Sequence, residues 1–319
     1  MIQASQSAAP GGYEAPRSVT LNLSNPLTQN LNDSLNISRS PSNLIFLNTL
    51  DFTDRSGQVV DFFQKKFGSF DTSKPMDNEP VQELPPMKML DGTVYKGQWD
   101  FKGRRHGSGT EDLPDGGQYI GYFKKNQREW KGRLVLGNGS FYQGHFSEGV
   151  AHGFGFYIHQ SGSEYQGTFV NGLQHGQGKE KYLDGSVYEG EFLNGKKNGA
   201  GLFRWKDGRT YKGHFVNGNM QGYGECHWPN GKHYLGQWDN GLMHGEGTFV
   251  WEDGKKYTGE YRRGNKHGHG KLEWPDGKVY EGQWKDGKQD GEGTLRLPHK
   301  NGNAKHVQME AGKVAKWLD

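Results

Sequence analysis

Between residues 91 and 302, packing side chains recur at every second position in short runs separated by polar pairs that end in glycine. A strand sends alternate side chains to opposite faces, so Tyr188, Gly190 and Phe192 share one face of an extended segment. Gly199, Gly201, Phe203 and Trp205 do the same in the next segment, as do Gly245, Gly247, Phe249 and Trp251 two repeats later. Asp184-Gly185, Asn230-Gly231 and Asp253-Gly254 stand at one kind of boundary, Asn171-Gly172 and Asn240-Gly241 at the other. Such pairs supply the positive φ angles that tight hairpin turns need. The pattern predicts hairpins throughout this span and no helix inside it.

Tyrosine sets the period. Tyr95, Tyr119, Tyr142, Tyr165, Tyr188, Tyr211, Tyr234, Tyr257 and Tyr280 are separated by 24 residues at the first interval and by 23 at every later one. Nine hairpin units follow, each opening on Tyr-x-Gly-x-aromatic, as in Tyr142-Gln-Gly-His-Phe146 or Tyr280-Glu-Gly-Gln-Trp284. Each continues through His-Gly-x-Gly or a relative, such as His152-Gly-Phe-Gly155. The in-face glycines read as gaps over which rings of the neighbouring strand lie, so that ring-on-backbone contacts replace a second layer.

This order of motifs at a spacing of 23 resembles the MORN repeat (membrane occupation and recognition nexus) over about residues 88 to 302. The resemblance implies an all-β fold: an elongated single-layer antiparallel sheet of tandem hairpins, curved into a half-pipe. It implies a non-enzymatic structural or scaffold protein without cofactors. MORN-only chains of this build resemble radial-spoke-head and other axonemal or cytoskeletal scaffolds, and a partner helix in the groove is a family habit. The other role implied is a membrane-surface adaptor for anionic phosphoinositides, to which Lys196, Lys197, Lys255, Lys256, Lys266, Arg262 and Arg263 give some basis.

Some units depart from the pattern. Repeat one has an extra residue between Trp99 and Gly103, and repeat two has Glu129 and Trp130 where His and Gly are expected, marking a bend or a partner contact. Asn198, Gln221 and Asp290 fill the histidine slot elsewhere, so that slot needs a polar residue supporting the turn more than imidazole chemistry.

Residues 1–87 read as a Ser/Asn-rich, mostly irregular extension with one or two short helices. Asn25-Pro26 precedes Leu27, Leu31 and Leu35; Ser56 precedes Val59, Val60, Phe62, Phe63 and Phe67, an amphipathic helix near 57–68. That stripe needs a cover, whether its own sheet, a partner or a membrane surface. Residues 71 to 86, with Pro75, Pro80, Pro85 and Pro86, read as a connector. In residues 303–319, His306 to Met309 and Val314 to Trp317 read as a closing pair around Ala311-Gly312, because a free last strand invites another chain. The candidate partner-binding residues are therefore Val59, Phe62, Phe63, Phe67, Glu129, Trp130, Val314 and Trp317. A homodimer through the array ends is a further expectation.

Composition narrows the classes. Hydrophobic residues make up only 31%, yet there are 17 Phe, 15 Tyr and 9 Trp, which argues against disorder over most of the chain. Of 51 glycines, all but Gly11, Gly12, Gly57, Gly68 and Gly312 lie within residues 91 to 302. The formal net charge of +3 is too dilute for a nucleic-acid surface. No apolar run approaches a membrane span and no secretory signal is evident, so a cytoplasmic, cytoskeletal place is expected, with the family pointing to the axoneme of a cilium or flagellum. Cys226 is the single cysteine. His106, His152, His175, His244 and His267 hold one repeat position, but equivalent positions lie two strands, roughly 10 Å, apart, too far for one metal ion. No phosphate-loop, nucleophile-elbow or kinase signature is present, and no enzyme is expected.

Overall fold

The computed structural model describes residues 58–72, 79–298 and 304–318; the helix expected after Asn25-Pro26 lies outside them. Among the described residues there are one helix, α1 (Gln58–Phe67), and 21 strands, numbered in chain order from β1 (Val81–Lys88) to β21 (Lys313–Trp317). They fall into two compact units, one carrying β1 to β10 (Val187–Leu193), the other running from β11 (Lys196–Arg204) to β21. In each unit the strands form an open antiparallel sheet in which each strand pairs with the next.

A single period shows why the sequence repeats as it does. Strands β14 (His233–Asp239) and β15 (Leu242–Val250) are joined at Asn240-Gly241, whose φ angles of 48° and 80° suit a two-residue turn. Tyr234 pairs with Phe249, Gly236 with Gly247 and Trp238 with Met243, the register shifting between Gly236 and Trp238. Gly245, at φ 58°, takes the left-handed conformation within that irregular stretch. The Tyr234 ring lies flat on the Gly236–Gly247 pair, its hydroxyl donating to the Gln237 carbonyl at 2.9 Å. A Cβ on Gly247 would stand 2.4 Å from the Tyr234 hydroxyl, and one on Gly236 would stand 2.4 Å from Gly247 Cα. Trp238 and Tyr261 close the ring edge-on, at centroid distances of 5.1 and 4.9 Å. Ring and first glycine thus belong to the same strand and only the second glycine to its neighbour, a refinement of the sequence expectation. Eight of the repeat tyrosines are fully buried in this way, which gives a one-layer sheet a continuous core.

The turns also expose a departure from the rule. Asn171, Asn194, Asn217 and Asn240 hold φ near +50°, but Arg263 holds φ 51° in the same place. A long side chain there costs about 1 kcal/mol that Asn avoids. Arg263→Asn is expected to stabilise the protein by about 0.5–1 kcal/mol, read as a higher urea midpoint.

On the face opposite the tyrosines, the unit of residues 22–196 has a local apolar patch. Val135 of β5 (Gln127–Val135), Phe141 of β6 (Phe141–Ser147), and Ile158 with Phe156 of β7 (Val150–Ile158) meet there. Helix α1 lies on that patch, burying Val59 and Phe63 against it; Phe63 and Phe67 stack on Phe141 at 4.6 and 4.7 Å. Arg133, 6% exposed, holds the helix end by donating Nη1 to Gly68 O at 2.6 Å and Nε to Gln143 Oε1 at 2.8 Å. The carbonyls left over at a helix C-terminus accept such a cation.

Two segments differ from the sequence expectation. Residues 81–86, read there as the end of a connector, belong to β1, which pairs with β2 (Val94–Asp100) from Val81–Asp100 to Lys88–Val94. Pro85 and Pro86 are tolerated because they sit where the register shifts between Leu84 and Met87 on a strand that ends the sheet, where no ladder donor is missed. The extra residue of repeat one goes into the turn after Trp99, where Asp100 Oδ1 accepts the Lys102 and Arg104 amides, each at 2.9 Å. At the other end, β20 (Lys305–Glu310) and β21 pair around Ala311-Gly312, with Val307 opposite Trp317.

Candidate protein-binding face

Alternation and register together build a tyrosine face on each sheet, and among the described residues no second layer packs against it. Besides Tyr, Gly and the following aromatic, each period places on this face the residue preceding the histidine slot. In the unit of residues 22–196 that slot holds Arg105 and Arg128, which clasp Glu111 between them. Glu111 is 4% exposed, Arg128 Nε lies 2.8 Å from its Oε2, and the Arg128 guanidinium sits 4.8 Å above the Tyr119 ring. These half-buried cations share one buried counterion.

In the unit of residues 197–319 the same slot holds Lys197, Met220, Met243, Lys266 and Gln289. Lys266, of β17 (Asn265–Glu273), is 6% exposed, its ammonium 4.0 Å from the Trp284 ring centroid, 5.2 Å from Tyr257 and 6.0 Å from Trp251. Burial, aided by the Lys255 charge, pushes its pKa down to about 7. The Trp284 face offsets part of that cost. Nearby, the Tyr257 hydroxyl is buried without a hydrogen-bond partner, although the other eight repeat tyrosines donate to the carbonyl three residues on.

A stability prediction follows from linkage. The unfolded chain keeps the Lys266 proton up to about pH 10.5, whereas the folded chain releases it near 7, so between those values the unfolded state binds more protons and stability rises with pH. Lys266→Met, the residue of the two preceding periods, is expected to stabilise the protein by about 2 kcal/mol at pH 7 and to flatten the pH dependence of the thermal midpoint between pH 7 and 10.

The histidine slot serves the turns. Glu129 Oε2 accepts the Glu148 amide at 3.0 Å, Gln221 Oε1 the Asn240 amide at 3.0 Å, and Asp290 Oδ2 the Ala311 amide at 3.1 Å. Among the described residues no three His, Cys, Asp or Glu side chains are placed to hold a metal ion. Trp130, half-buried, takes φ 57° where Gly153 and Gly268 take 68° and 59°, and meets Tyr122 edge-on at 6.1 Å. A bulky residue in that conformation carries strain of roughly 1–3 kcal/mol.

The structure thus disperses the residues singled out from sequence. Val59, Phe62, Phe63 and Phe67 come together on α1, but Val59 and Phe63 cover the chain's own outer patch, so the stripe is not an open partner surface. Glu129 and Trp130 belong to one turn and its bulge, and Val314 and Trp317 lie exposed, at 37% and 46%, on the last strand. Sequence reasoning passed over Arg133 and the receiving patch, and read Lys266 only as one of a set of cations suited to an anionic lipid, whereas it is 6% exposed. Aligning the repeats carries a signal for that patch, since Phe156 stands where Thr110, Lys179, Glu225 and Thr248 stand in other periods.

No curated protein matches the chain. Similar solved structures include the TCP10 domain of Danio rerio CPAP in complex with a peptide of Danio rerio STIL, at 11% identity and TM-score 0.37, covering 73% of this chain and 98% of that one. Another is the SAS-4 (dCPAP) TCP domain in complex with a proline-rich motif of Ana2 (dSTIL) of Drosophila melanogaster, at 12% identity and TM-score 0.32, covering 50% and 85%. The family model described as MORN repeat matches residues 95–118, 142–164, 165–187, 188–208, 211–233, 234–256, 257–279 and 280–298, passing over the Tyr119 period that contains Glu129 and Trp130. With its periods, its tyrosine–glycine stacks and these matched segments in agreement, the chain belongs to the MORN-repeat family.

Proposed function

We propose that this chain is a non-catalytic scaffold that binds other proteins through its tyrosine faces and terminal segments, within a cytoskeletal assembly such as a ciliary or flagellar axoneme. The observation that carries the reading is the tyrosine face itself: a rigid face whose rings are buried by one another and against which no described element packs, beside an outer face whose apolar patch is already covered by α1. The family resemblance to axonemal scaffolds supports the cellular setting. Exposed Val314 and Trp317 on the last strand offer a second contact, with another protein or a second copy.

Met243→Arg and Glu246→Arg, expressed as full-length chains in ciliated cells, test this. Arg105 and Arg128 occupy the Met243 slot elsewhere, there paired with Glu111, so the fold of Met243→Arg is first checked by circular dichroism. The expected result is that the wild type and Glu246→Arg remain with the detergent-insoluble cytoskeleton while Met243→Arg is released. Equal behaviour of the two variants overturns the assignment of the face. Sedimentation with phosphatidylinositol bisphosphate vesicles tests the membrane alternative; Lys255, Lys256, Arg262 and Arg263 favour it, but Glu252, Asp253 and Glu260 are interleaved with them.

A further inference from the structure

We infer that Lys266 is the receptor for a carboxylate supplied by a partner protein: an Asp or Glu side chain, flanked by apolar residues, that enters the tyrosine face beside Trp251 and Trp284. This deepens the protein-binding reading and rests on it.

The chain contains its own precedent. Arg105 and Arg128 occupy the same repeat slot as Lys266, on the same face, and both pair with the buried Glu111. Glu111 lies six residues after Arg105 and seventeen before Arg128. Counted from Lys266, those two positions are Leu272 and Phe249. At Lys266 the slot therefore holds a cation while both carboxylate positions hold apolar side chains.

Nothing else on the face takes its place. Among the described residues no carboxylate lies within ion-pair distance of the Lys266 ammonium. The titratable groups facing it are Lys255, from the turn before β16 (Lys256–Arg262), Tyr257 and Tyr261 of β16, and Tyr280 of β18 (Val279–Lys285). Glu260 points to the other face, where it accepts the His269 amide at 2.9 Å. A second cation, Lys255, sits 4.7 Å above Trp251 and adds positive charge beside Lys266. The Tyr257 hydroxyl adds a buried donor without an acceptor. A buried ammonium and a buried unpaired donor are each costly, and an incoming carboxylate relieves the first.

The surroundings select the carrier. Met243, Phe249, Trp251 and Leu272 are all under 10% exposed and form an apolar floor around one cation. A lipid headgroup is held by several exposed cations, whereas a single ammonium among rings and thioethers suits one carboxylate on an apolar protein segment. Because burial has already drawn the Lys266 pKa toward neutrality, pairing restores its charge and binding takes up a proton. Affinity then falls as pH rises above 7, and an arginine in the same slot, always charged, removes that dependence.

The test uses the full chain and its Lys266→Met and Lys266→Arg variants, each checked for an unchanged fold by circular dichroism. A displayed library of random 16-residue peptides is selected on the three proteins at pH 6.5; enriched peptides are synthesised with Glu or Gln at their shared acidic position and titrated by fluorescence anisotropy. The expected result is enrichment of an Asp or Glu between apolar residues on the wild type, with at least about tenfold weaker binding for the Gln peptide, for Lys266→Met, and for the wild type at pH 8.5. Lys266→Arg is expected to bind the Glu peptide with little change between pH 6.5 and 8.5. Enriched peptides lacking an acidic position, or bound equally by Lys266→Met, overturn the assignment of Lys266 while leaving protein binding by the face intact. Absence of any enriched peptide counts against both. Binding of phosphatidylinositol bisphosphate vesicles that is lost in Lys266→Met, without peptide binding, replaces the partner carboxylate by a lipid phosphate and overturns the proposal.

Discussion

Gly247→Val is expected to lower stability by about 3 kcal/mol, whereas Glu246→Gln, one residue earlier on the opposite face, stays within about 0.5 kcal/mol. The cause is contact rather than backbone conformation. Gly247 sits in regular strand, but a Cβ there would lie 2.4 Å from the Tyr234 hydroxyl and 2.5 Å from its Cε2. The ring cannot retreat, because Trp238 and Tyr261 hold its edges and its hydroxyl is bonded to Gln237 O. Displacing it breaks that bond and opens a gap in a core only one ring thick. Urea unfolding monitored by far-ultraviolet circular dichroism gives the two midpoints, and equal midpoint shifts for the two variants would mean that the faces are wrongly assigned.

The second large effect is expected at α1. Phe63→Ala should cost about 3–5 kcal/mol, the usual range for emptying a buried phenylalanine site, since Phe63 is fully buried between Phe62, Phe67 and Phe141. A ten-residue helix has almost no stability of its own, so the loss appears as undocking of α1. In hydrogen exchange, the α1 amides should lose protection together with the ends of β5 to β7, while the Tyr234 period, in the other unit, keeps its own. Loss of protection throughout the chain would instead make α1 part of a global folding unit and contradict the nearest-neighbour stability expected of a repeat array. Removing residues 1–75 should likewise leave the β signal in place but expose Phe141, Phe156 and Ile158, read as increased binding of a hydrophobic dye.

The helix marks a boundary between what was and was not legible beforehand. Its existence followed from the spacing of Val59, Phe63 and Phe67, three contacts on one local surface. Its destination did not, because the receiving side chains lie some 70 to 100 residues away and look like ordinary strand positions until the repeats are aligned. Arg133, which fixes the helix end, reads in sequence as one more surface cation on a strand. β1 went unread for a related reason: Pro85 and Pro86 argue against a strand locally, and only the register shift at the edge of the sheet makes room for them.

The candidate site divides in the same way. That Lys266 faces the rings could be counted from Tyr257 by alternation and the repeat. That it lacks the counterion enjoyed by Arg105 and Arg128 became visible only when Glu111 was seen to serve both of them, one on its own strand and one two strands away. By itself, then, the sequence determined the period, the faces and the turns, since alternation, positive-φ pairs and a Tyr234–Gly247 contact thirteen residues apart are properties of short stretches of chain. The tertiary structure alone decided which face α1 covers, how the prolines enter the sheet and which buried cations are paired, because each of these depends on side chains that only strand register and packing bring together.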